Sequence, residues 1–201
     1  MNSYHFATTW RVDGTCGEVA DVLGDPTALP RWWPSVYLRV TELEPPDSRG
    51  VGRRVRLLTK GWLPYTLTWE LVVVESRYPS GFAIEAAGDL VGHGVWTFVQ
   101  DGPAVNVSYD WQIRVERPLI GRLTPLLRPA FEANHRWAMA QGEASLKLEL
   151  ARRRATSDAE RASIPPPPGP VTYAAVALVG GAALVGGTLA YLLMRARRQR
   201  R

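Results

Sequence analysis

Between Tyr4 and Val12 the chain alternates, with Tyr4, Phe6, Thr8, Trp10 and Val12 on one face and His5, Ala7, Thr9 and Arg11 on the other. A period of two carrying aromatic residues predicts a half-buried strand. Beyond Asp13-Gly14, Val19, Val22 and Leu23 fall at helical spacing, so a short helix is expected over 15–23, ended by Gly24-Asp25-Pro26. A second short helix is expected over 28–33, where Pro34 stops it. Strand patterns follow at 36–44, 53–58, 65–75, 81–87, 94–100 and 104–115, divided by turn signals such as Pro45-Pro46-Asp47 and Asp101-Gly102-Pro103. The clearest alternations are Tyr65, Leu67, Trp69, Leu71, Val73 and Val105, Val107, Tyr109, Trp111, Ile113, Val115. Glu70, Asp110 and Arg114 lie on the opposite sets and should pair across strands in solvent.

From residue 119 to about 150 the period becomes helical. Phe131, His135, Met139, Gly142, Leu146 and Leu150 share one stripe, with Arg128, Glu132, Arg136, Glu143, Lys147 and Glu149 mostly off it. Consecutive strands joined by short loops favour a meander. Its apolar face needs a cover, and the long helix is the available one. The fold class is therefore α+β: a curved seven-stranded antiparallel sheet wrapped around a C-terminal helix, with two short helices after the first strand.

Residues 171–194, VTYAAVALVGGAALVGGTLAYLLM, carry no charge. At about 1.5 Å per residue they would cross a hydrocarbon core of roughly 30 Å as one helix. Tyr173 and Tyr191 sit near its ends, where such rings prefer headgroup level, and five arginines follow in 195–201. This predicts a domain over 1–150, a basic then Pro-rich linker over 151–170, a transmembrane helix over 171–194 and a basic tail over 195–201. The Pro165–Pro168 run should be a stiff spacer. Ala177 with Gly181 and Ala183 with Gly187 form small-xxx-small pairs that would allow a homodimer through this helix.

Charge adds to this division. The formal net charge of +5 arises beyond residue 150, because residues 1–150 hold 15 basic against 17 acidic side chains. The domain thus shows no sign of nucleic-acid binding, and the basic linker suggests membrane lipids as partners. The N-terminus lacks the basic start and apolar core of a signal peptide, which favours a domain on the cytoplasmic side of the membrane. Cys16 stands alone, which excludes an internal disulfide and a cysteine-based zinc site. His5, His93 and His135 lack metal-ligand spacing, and no nucleophile elbow, phosphate loop or dinucleotide fingerprint occurs. No metal and no cofactor are expected.

Three groups of residues stand out together. The first is Asp25-Pro26 followed by Leu29-Pro30-Arg31-Trp32-Trp33-Pro34, and the second is Gly88-Asp89-Leu90 with Gly92-His93-Gly94-Val95-Trp96-Thr97. The third is Phe131, Asn134-His135, Met139, Gly142-Glu143 and Leu146. In combination they resemble the START-like (SRPBCC, helix-grip) superfamily, and within it the polyketide cyclase/dehydrase and lipid-transport group, over roughly residues 3–150. The resemblance implies a deep apolar cavity between sheet and helix. Candidate ligand-binding residues are Trp32, Trp33, Trp69, Trp96, Trp111, Phe131, Asn134, His135 and Met139. The three strand tryptophans could equally be core, and Asn134 could instead bond to the sheet or an adjacent loop. His135 is the candidate acid/base, against a plain core histidine.

The leading expectation is a membrane-tethered binder or carrier of a hydrophobic small molecule such as a lipid, isoprenoid or polyketide. The alternatives are a cyclase or dehydratase using His135, and a non-catalytic membrane scaffold. An open apolar cavity would favour the carrier, paired titratable groups in it the enzyme, and a filled one the scaffold.

Overall fold

The structure, a computed structural model, describes residues 3–116 and 124–172, with backbone alone for 124–127. Its elements run β1 (Ser3–Asp13), α1 (Cys16–Leu23), a 3-10 turn (Pro26–Ala28), α2 (Leu29–Trp32), β2 (Tyr37–Glu44), β3 (Arg54–Lys60), β4 (Thr66–Ser76), β5 (Gly81–Gly88), β6 (Leu90–Asp101), β7 (Ala104–Val115), α3 (Thr124–Arg154) and α4 (Asp158–Ser163). All seven strands join one antiparallel sheet in the order β1-β7-β6-β5-β4-β3-β2. The expected meander accounts for β2 to β7. The remaining pairing brings β1 back to β7, from Ser3 opposite Arg114 to Asp13 opposite Ala104. β6 starts at Leu90, ahead of the expected 94, because Gly92 and Gly94 stay in the ladder opposite Ile113 and Trp111.

The alternations decide which face is buried. Tyr4, Trp10, Val12, Val105, Val107, Tyr109 and Trp111 all enter the core that α1, α2 and α3 cover. On the other face, Arg56 donates to Glu70 at 2.9 and 3.2 Å, His5 meets Asp110 at 2.7 Å, and Arg114 lies 3.6 Å from Glu116. Thr15 opens α1 with a capping box: its hydroxyl accepts from the Glu18 N–H at 3.2 Å, and Glu18 accepts from the Thr15 N–H at 2.8 Å.

The helical layer hangs on one carboxylate that the stripe reading set aside. Glu149 is 1% exposed, and its two oxygens accept from Arg31 of α2 at 2.7 and 2.8 Å. Arg153 adds a third bond at 2.9 Å. Glu149 lies three residues past Leu146, inside the roughly 100° sector that a packed helix buries. Burial alone would raise its carboxyl, but the two guanidiniums outweigh that and hold it below the usual range. Two turns earlier, α3 offers a notch at Gly142, where an added Cβ would come within 2.3 Å of the Trp33 ring.

Helix also covers 151–154 and 158–163 of the stretch read as linker, leaving 164–172 without helix or strand. Its arginines have partners within the chain. Arg152 donates to the Pro165 carbonyl, and Arg153 reaches the Asp21 carbonyl as well as Glu149. Arg154 donates to Glu18 at 2.6 Å and to the Asp13 carbonyl at 3.0 Å, and Arg161 binds Asp158. The hydrogen bond from Arg154, with those from Thr15, pushes the Glu18 carboxyl down to about 2 in spite of partial burial. The chain divides after Pro170 into units Met1–Pro170 and Val171–Arg201. The expected transmembrane helix, with its candidate dimer contacts, lies outside the described residues from 173 onward. Among the described residues no helix is long and apolar enough to cross a membrane.

Gly142→Ala should lose about 1–3 kcal/mol to overpacking against Trp33, less up to about 1 kcal/mol of gained helix propensity, in urea unfolding. A chain ending at residue 150 should be about 1–2 kcal/mol less stable than one ending at 170, because it lacks the Arg153 and Arg154 bonds. Equal urea midpoints would show those bonds to be idle.

Candidate ligand cavity and its mouth

Small residues make the room here. On the inner face of β5 and β6, Ala86, Gly92 and Gly94 leave the sheet bare, and larger rings lie across it. A Cβ at Gly94 would come within 2.7 Å of both the Trp111 ring and the Tyr109 hydroxyl. Tyr109 stacks on Trp96 at 4.0 Å between centroids and 12° between planes, and Trp96 meets Trp10 at 5.3 Å. Trp33 comes down from the α2 end, edge-on to Trp10 at 5.8 Å and to Tyr37 at 5.1 Å. Between these rings remains a cavity of about 40 Å³, walled by Trp33, Trp69, Trp96, Tyr37, Tyr109 and aliphatic side chains. That is room for about three waters, against roughly 300 Å³ or more for a drug-sized ligand.

The wall contains no charged side chain. Its polar features are the phenols of Tyr37 and Tyr109. Burial raises the pKa of both hydroxyls, Tyr37's well clear of physiological pH, so each stays neutral and able to donate. Tyr37 lies near enough to Tyr109 to add to the upward shift of its hydroxyl. The Trp33 indole N–H is buried without a hydrogen-bond partner. A buried donor left unpaired costs about 1–3 kcal/mol, which a guest oxygen would recover.

The cavity adjoins a larger groove of about 500 Å³ on the surface, and Gly24, Val73 and Phe82 line both. The groove runs between the end of α1, the β2–β3 loop at Ser48–Arg49–Gly50 and the β4–β5 turn at Tyr78. Tyr78 is 65% exposed, and Asp21, whose charge and hydrogen bond raise the Tyr78 phenol, faces it across the groove.

The sequence-named residues separate into groups. Trp33, Trp69 and Trp96 stand in the cavity wall. Trp69 is fixed by its Nε1–H, which donates to the Thr59 hydroxyl at 3.0 Å. Trp111 lies behind the wall, 5.5 Å from Tyr109 and 6.0 Å from Trp69. Trp32 is fully buried beside Trp33 but does not line the cavity, and Met139 is a buried core residue. Phe131 packs on Tyr4 and Tyr65 near the β1 side of the helix. Asn134 is a loop anchor: its Oδ1 accepts the backbone N–H of Trp62 at 2.9 Å and of Leu63 at 3.3 Å, pressed against Gly61. His135 is apart from the cavity. It stacks on Phe6 at 3.9 Å, with Nε2 3.5 Å from the Thr8 hydroxyl, beside a separate groove that includes Arg128 and Glu132.

Burial, aided by the nearby Arg136, pushes the His135 pKa down to about 4. The ring is therefore neutral at pH 7 and lies outside the cavity. Tyr37, Tyr109 and Phe82 were missing from the sequence-derived set. Tyr109 sits in the clearest alternation, and its position between Val107 and Trp111 was the available signal. Tyr37 carries no such signal, since it opens an irregular edge strand. Among the described residues no cluster of three His, Cys, Asp or Glu could hold a metal.

A family model described as polyketide cyclase / dehydrase and lipid transport matches residues 3–150. Comparison with curated proteins gives no match. Among solved structures, a protein of Thermus thermophilus is similar with a TM-score of 0.61 at 13% identity, covering 76% of this chain and 100% of its own. An aromatase/cyclase from Streptomyces sp. R1128 gives 0.60 at 21% identity, over 78% of this chain and 98% of its own. A START superfamily protein from Mycobacterium smegmatis gives 0.52 at 16% identity, over 67% and 93%. At these identities the three show the fold.

The His135 environment has a pH consequence. The folded-state pKa lies below the ordinary 6.5, so the unfolded chain takes up the proton first as pH falls. His135 should therefore remove on the order of 3 kcal/mol of stability between pH 6.5 and 4, and none above 6.5. His135→Gln should flatten that part of the stability profile, measured by urea unfolding at each pH. An unchanged slope would place the histidine in contact with water.

Proposed function

This chain belongs to the polyketide cyclase/dehydrase and lipid-transport family of the START-like superfamily, and from that premise we propose that it binds and carries an uncharged hydrophobic small molecule, a lipid, isoprenoid or polyketide-like compound, close to a membrane. The observation that carries the reading is the uncharged aromatic cavity with two buried phenols, an unpartnered Trp33 N–H and a groove sharing its wall. Apolar walls desolvate the guest, and Tyr37 and Tyr109 offer neutral donors to one oxygen on it. A carboxylate or phosphate is disfavoured there, since no cation lines the wall. Binding requires the cavity to widen into the groove, with Phe82 as the side chain between them. The uncharged run at 171–194 supplies the tether in this reading, raising the domain's concentration where such ligands partition. The expectation that the domain faces the cytoplasm is carried as part of it.

One observation favours the scaffold instead: the cavity is almost filled by its own rings. The enzyme reading loses ground for a different reason, because its named acid/base, His135, is neutral and elsewhere. Native mass spectrometry of residues 1–170 purified without detergent, followed by organic extraction, separates the first two. A retained neutral apolar compound, lost in Phe82→Trp and bound more weakly by about tenfold in the Tyr37→Phe/Tyr109→Phe pair, is expected. Clean apo protein that takes up nothing from a panel of neutral lipids would favour the scaffold.

A further inference from the structure

The two edges of the sheet are built differently. β2 is blunted: its register shifts twice, between Tyr37 and Arg39 and between Glu42 and Glu44, and it carries three charged side chains, Arg39, Glu42 and Glu44. Bulges and charges of this kind keep an edge from pairing with another chain. β1 has no bulge, proline or glycine, and its register with β7 runs unbroken from Ser3 to Asp13. The side chains of His5 and Arg11 are engaged by Asp110 and Asp101.

The hydrogen-bond ladder decides which backbone groups β1 leaves open. The Glu116 N–H meets the Asp89 carbonyl at 3.1 Å, so the even-numbered residues of β7 bond to β6. The odd-numbered ones bond to β1, where Tyr4, Phe6 and Thr8 stand opposite Ile113, Trp111 and Tyr109. At 2.9 Å, the Gly14 N–H on the Pro103 carbonyl continues the same alternation. The N–H and C=O groups of His5, Ala7 and Thr9 therefore point away from the sheet, and they make no hydrogen bond among the described residues.

A groove of about 350 Å³ runs beside this edge, lined by Tyr4, His5, Phe6, Ala7 and Thr8. Successive side chains of a strand point to opposite faces, so five in a row share one groove only along the strand's edge. The far wall is α3, through Arg128, Glu132, His135 and Arg136. That helical stripe covers roughly 12 Å, against roughly 13 Å for the five strand residues. The wall presents two guanidiniums against one carboxylate. Arg128 is taken by Glu132 at 3.0 Å, while the exposed Arg136 has no ion pair among the described residues.

We propose that the open edge of β1 is a docking surface for an extended, acidic segment of a partner protein. The segment adds to the sheet as an eighth strand, bonding through its backbone to His5, Ala7 and Thr9. A carboxylate on its α3-facing side meets Arg136, which a neutral or basic segment would leave without a counter-charge. The surface shares no lining residue with the cavity or with the groove at its mouth.

The test uses the full chain in detergent micelles, on which a displayed library of random eight-residue peptides is selected. Hydrogen exchange is then followed by NMR at each amide of β1. In the free protein the amides of His5, Ala7 and Thr9 should exchange at least about tenfold faster than those of Phe6 and Thr8. The selected peptides should be acidic, and binding should slow the first three amides by about tenfold or more. Arg136→Glu should weaken the same peptides by about tenfold. A library that yields no binder, or binders without acidic residues, overturns the proposal. So does binding that leaves the exchange of His5, Ala7 and Thr9 unchanged. Protection of these amides without peptide, lost on dilution, would give the edge to a second copy of this chain and overturn the peptide partner.

Discussion

A carboxylate shielded from water and gripped by two arginines settles how the helical layer sits on the sheet. Glu149 accepts from Arg31 and Arg153 while nearly fully buried, so neither α2 nor the last turns of α3 can shift without exposing that charge to an apolar surrounding. Arg31 immediately precedes Trp32-Trp33, and its fixed position lowers Trp33 into the Gly142 notch and over the cavity. Arg153 carries the same constraint to the Asp21 carbonyl and so to the groove. The roof of the cavity, the edge of its mouth and the route of the chain beyond the domain therefore share one electrostatic support.

The size of the cavity follows from packing of rings over a floor of small residues. Gly94 would leave a trough in the sheet, and Trp111 and Tyr109 fill it, with Trp96 stacked on Tyr109. What remains is small, uncharged and bordered by the unpartnered Trp33 N–H. Such an interior is held together by stacking and dispersion rather than by directional bonds, except where Trp69 is tied to Thr59. The family supplies a ligand-binding or cyclase context, and the neutral guest proposed above rests on the uncharged wall.

Strand positions were legible because alternation is local: the faces of β1, β4 and β7 could be read from residues two apart. The helix stripe predicted Met139, Leu146 and Leu150 correctly, and assigned Glu149 to solvent because a carboxylate ordinarily belongs there. Only its two arginine partners, one of them 118 positions away, reverse that preference. The partners of the arginines at 152–154 were not legible for a similar reason, since a run of like charge gives no hint of the distant carboxylates and carbonyls that it meets. Gly92 fell outside the expected strand, yet it stays in the ladder where an added Cβ would strike the Gln112 carbonyl, and Gly94 lies under the Trp111 ring. Asn134 was legible as a polar position beside the stripe, with the alternative of a loop contact kept open, and it is the loop that takes it. Tryptophans in the cavity wall could not be told from tryptophans behind it without the sheet's curvature.

The pairing of β1 with β7 also governs how the protein can be made. Translation at about 5–20 residues per second delivers β7 roughly 5–20 s after β1 has appeared. During that interval β2 to β6 can zip in sequence, hairpin by hairpin, while β1 has no neighbour to bond. Asp13 and Glu18 wait longer still, for Arg154. The first strand synthesised is thus the last to be enclosed, and until then its row of Tyr4, Phe6 and Trp10 is the segment of the nascent chain that a chaperone would have most reason to hold.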